Sequence, residues 1–395
     1  MVEGRRPGER WPPGPRDAAM LANYLSSFAI GLAIGGVIPF LTLVLERRGV
    51  EEIVVGANSA AGSLGIVALA PFVPRIVQRF GMAASVTGGL LVSTVALLLL
   101  GVFESLWAWF LLRPLVAGGT VIQWVVSETW MNTISTSHDR GRVMAVYVTA
   151  IAAGFAVGPA LLAVVGVDGW LPYLVFGAGI LVSAGPMVAV ARYAPPLRSG
   201  QIATPLFLLR RAPTIFAAMI AVGVYAGGAF TFLPIYGLRG GLGQTDAVLV
   251  LTAFLAGNLL FQIPIGWLAD RFNQRLLLIG CAVIGVVSPL LMILVFAGPQ
   301  AGIGPALLVL LAVWGGAVIG FYTIAITMLG DRFRGEDLAL ANAAFVMTFE
   351  CANIAGPALT GAAMWIWSPH GMMGFLVFVA VFFIAVAAVR GLKPE

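Results

Sequence analysis

The chain reads as a succession of apolar runs, each about twenty residues long, separated by short stretches of charge, Pro and Gly. Runs of that length match helices crossing a hydrocarbon core of about 30 Å. The apolar residues are continuous rather than alternating, which argues against the period-2 strands of a membrane barrel. Twelve spans are predicted, with cores at 20–45, 53–73, 82–102, 106–132, 142–166, 170–191, 213–238, 246–268, 275–297, 303–328, 338–364 and 370–389. Residues 192–212 form a long polar connector with Pro195, Pro196 and Pro205. It separates an N-terminal half, 20–191, from a C-terminal half, 213–390, with tails at 1–19 and 391–395. The expected fold is therefore an all-α integral membrane protein of twelve transmembrane helices in two six-helix repeats.

Composition agrees with this reading. The 395 residues are 60% hydrophobic and only 10% charged, whereas a soluble domain carries about 25% charge. The first 19 residues are rich in Arg, Gly and Pro. The apolar run behind them is longer than the core of a signal peptide, so they read as a tail before a retained span. The basic residues lie scattered between the runs, which indicates topology rather than nucleic-acid binding. With the N-terminus placed inside, 18 of the 22 Lys and Arg fall on inside segments. Three (Arg47, Arg48 and Arg239) fall outside, and Arg113 lies within a span. That bias predicts cytoplasmic N- and C-termini.

The halves repeat one another. At an offset of 192 residues, Gly31, Gly35 and Gly36 fall on Gly223, Gly227 and Gly228, Arg47 on Arg239, Gly65 on Gly257 and Arg79 on Arg271. Asp139 and Arg140 fall on Asp331 and Arg332, and then the offset becomes 198, matching Gly158-Pro159 to Gly356-Pro357. The matches predict an insertion between spans ten and eleven. Parallel repeats of this kind place a substrate site near the midplane, between the halves.

Polar residues within spans are costly and mark water-facing or helix-facing surfaces. Every third span is nearly bare of them, so the third helix of each triplet is expected to face lipid. Glu350 lies about 18 Å into span eleven by helical rise and is the first candidate for a proton-coupling carboxylate. Its alternative is a buried Glu hydrogen-bonded to Asn353 or to Tyr and Thr neighbours. Glu128, one turn from the inner end of span four, is a second titrating candidate. A positioning ion pair with Arg75, Arg79 or Arg142 is its stronger reading. Arg113 lies about 22 Å from Glu128 along the same span, too far to pair with it. It could receive an anionic group or snorkel. Further candidates for a substrate cavity are Trp124, Tyr225 and Tyr322, with Asn258 and Gln262 on one face of span eight, and Asn353.

Two loops stand out. After span eight comes Gly266-Trp-Leu-Ala-Asp270-Arg271-Phe-Asn-Gln-Arg275. Its twin after span two, Pro74-Arg75-Ile-Val-Gln78-Arg79, keeps Arg79 in the place of Arg271 but has Pro74 and Gln78 where Gly266 and Asp270 stand. In span five, Gly154-x-x-x-Gly158-Pro159 precedes Leu162 and Ala163. These features, over residues 20 to 390, resemble the major facilitator superfamily. The Gly266–Arg275 stretch looks like that family's loop between spans eight and nine. Arg113 sits where a family pattern places an Arg, although Val116 replaces a Gln. The span-five motif is similar to part of one found in proton-driven exporters. Ser127-Glu128-Thr129-Trp130-Met131-Asn132 and Gly330-Asp331-Arg332-Phe333-Arg334-Gly335 resemble a YcaD-type bacterial subgroup. The resemblance implies alternating access of a midplane site in the bacterial inner membrane. It makes Gly266, Asp270, Arg271, Arg275, Arg75 and Arg79 a cytoplasmic gate, with Asp270 mattering more than Gln78. It also makes Gly154, Gly158, Pro159, Gly356 and Pro357 sites of close packing and bending.

The function expected is secondary transport of a small organic solute, proton-coupled and outward, by a monomer in the lipid bilayer. Proton-coupled uptake and a non-transporting sensor or assembly protein on the same fold are the alternatives. Neither enzyme chemistry nor a cofactor is indicated. The chain has one lysine, Lys393, so a phosphate-binding Gly-rich loop with its Lys is lacking. Cys281 and Cys351 lie singly in apolar runs, and His138 and His370 lie in loops, with no metal-ligand spacing.

Overall fold

A computed structural model describes residues 13–135, 139–195, 205–269, 271–298, 302–333 and 335–391. Asp270, His138, Lys393 and most of both expected tails lie outside the described residues. The described residues fold as helices, as they must where lipid offers backbone groups no partner.

In chain order the helices of the N-terminal half are α1 (Pro13–Arg47), α2 (Glu52–Leu69), α3 (Val73–Phe80), α4 (Met82–Val102), α5 (Leu106–Ile134), α6 (Arg140–Val165), α7 (Leu171–Val182) and α8 (Ala184–Ala189). A short α9 (Pro205–Arg211) lies in the connector. The C-terminal half holds α10 (Pro213–Arg239), α11 (Gln244–Ala269), α12 (Gln274–Val295), α13 (Pro305–Arg332), α14 (Gly335–Ile366) and α15 (Gly371–Gly391). Among the described residues, eleven helical segments are long and apolar enough to cross a membrane. The other expected span is α14, at 32 residues the second longest helix.

Three local departures from the expected spans have physical causes. α1 begins inside the stretch expected as a tail, and Arg16 anchors its first turns to the Ile134 carbonyl (3.0 Å) and the Asp139 carboxylate. Span two runs on through a 3-10 turn at Ala70–Phe72 into α3, whose exposed Arg75 and Arg79 face away from buried Val73 and Val77. Span six divides at Ser183, whose carbonyl accepts from Ser26 Oγ (2.6 Å) and whose own hydroxyl lies 2.8 Å from Gln123 Oε1.

The repeat governs the packing. α1 pairs with α6 as α10 pairs with α14, and glycines make both approaches possible. A Cβ on Gly35 would stand 2.7 Å from the Phe155 carbonyl oxygen, and one on Gly227 would stand 2.5 Å from that of Asn353. The insertion, however, does not lie between spans ten and eleven. Gly65 packs on Pro114 and Gly257 on Ala312, so the offset is already 198 at span ten. The extra residues belong to the connection after α12, residues 296–304, against 103–105 in the N-terminal half. The alignment of Asp331-Arg332 with Asp139-Arg140 was coincidental.

The main contacts between halves join α2 to α14, α6 to α11 and α1 to α10. α4, α7, α12 and α15 pack chiefly within their own halves, as the bare third helices were expected to. α5 and α13 also keep chiefly to their own halves, yet both carry polar faces. Those faces belong to the space between the halves.

Candidate functional site

The central site is built from α5 on one side and α13 and α14 on the other. Arg113, Thr120, Trp124 and Glu128 recur at helical spacing and share one face of α5. Glu128 is exposed, and its carboxylate accepts a hydrogen bond from the Trp124 side chain one turn away. Glu350 is half-buried on α14 and accepts from Asn353 one turn on. Tyr322 of α13 lies within electrostatic reach of both carboxylates. Its ring stands edge-on to Phe345 (5.1 Å between centroids) and Phe349 (5.8 Å), which fixes it beside α14. Tyr147 of α6, also within reach of Glu128, bonds to Ser127 and Ser27. An aromatic bridge runs from Trp124 through Phe155 to Phe230 of the other half, at 6.5 and 5.6 Å. One carboxylate from each half thus faces a shared, aromatic-walled space.

Farther along α5, Arg113 is 6% exposed, and its described polar partner is Ser59 Oγ at 3.0 Å. The neighbouring Asn58 is fully buried, with neither amide atom hydrogen-bonded. Buried polar groups are almost always satisfied, so this corner retains unused hydrogen-bonding capacity.

The bundle has two distinct ends. Arg275 reaches the Ala387 carbonyl and Arg16 reaches Asp139, which places the first and last helix ends on one face, here called the terminal end. At the far end the halves are clasped together. Arg239, closing α10, holds both oxygens of Glu46 on α1 (Nε at 2.6 Å, Nη2 at 3.0 Å). Its Nη1 donates to Glu52, which opens α2, and to Ser368 Oγ at 2.7 Å. Arg47, closing α1, reaches Gln244, which opens α11, and Asp168 of its own half. These arms are repeat-related, since an offset of 192 carries Arg47 to Arg239 and Glu52 to Gln244. Inside the clasp, Gly56 packs directly on the Pro357 carbonyl and Gly361 on that of Glu52.

The architecture has counterparts among known proteins. The family model for the Major Facilitator Superfamily matches residues 24–250 and again 241–395. The chain belongs to the Major Facilitator Superfamily. That is a family of membrane transporters, not of enzymes, which matches the expectation from the sequence. The chain is 25% identical over 362 residues to the uncharacterized MFS-type transporter YfkF of Bacillus subtilis, covering 88% of each. It is 25% identical over 360 residues to the MFS-type transporter YcaD of Salmonella arizonae, covering 89% of this chain and 90% of the relative. Its fold resembles an inward-facing, unoccupied bacterial homolog of the human lysosomal transporter Spinster, with a TM-score of 0.76 at 12% identity over 96% of each chain. It also resembles the nucleoside transporter NupG, with a TM-score of 0.75 at 14% identity over 94% of this chain and 99% of that one.

Within this superfamily member the remaining candidates separate. Tyr225 does not line the cavity. It is 1% exposed, and its hydroxyl sits 2.7 Å from the carbonyl oxygens of both Gly285 and Leu376, fastening α10 to α12 and α15. Asn258 and Gln262 are half-buried on α11, without a hydrogen bond among the described residues. Glu128 forms no ion pair with Arg75, Arg79 or Arg142 among the described residues; its partner is an indole four residues back.

Among the described residues, the expected gate does not join the halves, and Asp270 lies outside them. Arg271 stacks on Trp267 (4.1 Å), Arg75 on Phe72 (5.8 Å) and Arg79 on Phe80 (5.4 Å), each within its own segment. Arg275 ties α12 to α15. Gly266 is half-buried near the Thr323 side chain. Gly154, Gly158 and Gly356 do lie at close helix contacts: a Cβ on Gly158 would stand 2.5 Å from the Leu32 carbonyl oxygen, and one on Gly356 2.7 Å from that of Val224. Pro159 and Pro357 lie inside continuous helices.

The sequence reading missed the far-end clasp. The coincidence of Arg47 with Arg239 was visible, but the acids Glu46 and Glu52 flank a loop and looked like ordinary surface charge. Cys351 is exposed, and His370 is half-buried with Nδ1 3.1 Å from the Tyr236 hydroxyl.

Proposed function

We propose that this protein is a proton-coupled exporter of small, amphipathic organic solutes, working as a monomer by alternating access in a bacterial inner membrane. The observation that carries the reading is the convergence of Glu128 and Glu350, from opposite halves, on Tyr322. Carboxylates within a membrane are functional by default. Two on opposing halves also couple charge to the rocking motion, because like charges disfavour approach until one takes a proton. The aromatic wall of Trp124, Phe155 and Phe230 suits the apolar part of a solute. The buried Arg113 and Asn58 corner, with its unsatisfied amide, could take a polar group of the solute when the halves move.

The bias of Lys and Arg supports a cytoplasmic terminal end. On that reading the clasped far end faces outward and the conformation corresponds to an inward-facing one. In the opposite state we infer that the clasp separates while the Gly266–Arg275 loop and its Arg75/Arg79 twin close the cytoplasmic end.

The test is reconstitution in liposomes with an imposed pH gradient and a panel of amphipathic solutes. The expected result is solute movement opposite to the protons, dissipation of the gradient, and loss of coupling in Glu350→Gln at unchanged thermal stability. Solute and protons moving the same way, or unaltered coupling in Glu350→Gln, would overturn the proposal.

A further inference from the structure

A groove of about 490 Å³ runs along the outside of the N-terminal half, between α2–α3, α4 and α5. Its floor is glycine backbone, with Gly65 against Pro114 and Gly89 against Gly119. Apolar side chains form its rim, and Phe80, Val92 and Leu115 are largely exposed there. The groove therefore opens on the side of the bundle that lipid surrounds.

Its mouth is positively charged. Phe80 lines the groove, and the Arg79 guanidinium stands 5.4 Å from that ring. Ile76, between Arg75 and Arg79, also lines it. Both arginines are exposed, and neither joins an ion pair among the described residues. From residue 53 to residue 103 the chain carries these two arginines and no acid. The repeat-related loop differs, since Asp270 stands where this one has Gln78. An apolar slot capped by two uncompensated cations is complementary to an amphiphile with a negative head.

We propose that the groove binds one acyl chain of an anionic phospholipid whose headgroup rests on Arg75 and Arg79. The chain would cover the glycine floor, and the phosphate would replace the carboxylate that the other loop carries itself. The inference rests on this groove alone and does not depend on the direction or coupling of transport.

Native mass spectrometry of the purified full chain tests it, after incubation with equal amounts of phosphatidylglycerol and phosphatidylethanolamine. The chain should retain phosphatidylglycerol preferentially, and Arg75→Gln with Arg79→Gln should lower that preference by about tenfold. Gly88→Leu should reduce retention of both lipids by filling the slot, where open space surrounds the position. Gly280→Leu, its repeat-related and equally open counterpart on α12, should change nothing. The arginine pair is exposed, so its removal tests the proposal even if Gly88→Leu perturbs folding. Equal retention of the two lipids, or a preference that survives loss of both arginines, would overturn it. So would a chain dimer abolished by Gly88→Leu, since a second copy would then occupy the groove.

Discussion

The two arms of the far-end clasp descend from the same position in the repeat but are built with different strength. In the Arg239 arm, one guanidinium meets two carboxylates, and the side chains of Arg239, Glu46 and Glu52 are 28%, 15% and 9% exposed. In the Arg47 arm, the contact across the halves is to a neutral amide, Gln244. Its ionic partner Asp168 belongs to the same half and is 81% exposed. A partly buried, bidentate, charge-assisted contact contributes far more than a solvated pair. The asymmetry indicates that closure of the far end depends on Arg239, while Arg47 mainly orders its own half.

Changes at the clasp can break this comparison or sharpen it. Arg239→Ala should have the largest effect, because it leaves Glu46 and Glu52 together without a cation. The shift toward far-end opening is expected to be about 2 kcal/mol, or roughly thirtyfold. Pulsed-EPR distances between labels at the exposed positions Glu51 and Thr245 would report it. Glu52→Gln makes the strong arm resemble the weak one and should cost about 1 kcal/mol, seen as faster reaction of a far-end cysteine with an impermeant thiol reagent. Gln244→Glu gives the weak arm the missing acid. It should favour the closed state by about 0.5 kcal/mol, a small rise in the short-distance population. Asp168→Asn should change the same distances least, by about 0.3 kcal/mol or less. If Asp168→Asn opened the far end as much as Arg239→Ala, the division of labour between the arms would be wrong.

The fold was legible in the sequence for a simple physical reason. A helix in lipid must be long, apolar and internally hydrogen-bonded, and those demands are written residue by residue. Side-chain direction was less legible. Tyr225 and Tyr322 looked equivalent as polar aromatics in spans, yet one fastens three helices of its own half and the other faces the carboxylates. Glu350 was found because an acid in an apolar run is costly. Glu46 and Glu52 were passed over because an acid beside a loop is not. The site of the insertion was misread because a two-residue match, Asp331-Arg332, outweighed a loop-length difference that only the helix ends reveal. The gate arginines carried a familiar pattern, but pattern alone does not say which conformation brings them into use.

The proposed coupling links charge at the central carboxylates to the clasp at the far end. Pulsed-EPR distances between Glu51→Cys and Thr245→Cys labels, with Cys281 and Cys351 replaced, can be followed as a function of pH. If Glu128 and Glu350 couple protons as proposed, acidification relieves their mutual repulsion, so the far-end distance should lengthen in the otherwise native protein and respond much less in Glu350→Gln. A far-end distance that ignores pH, or one that shifts equally in Glu350→Gln, would contradict the account.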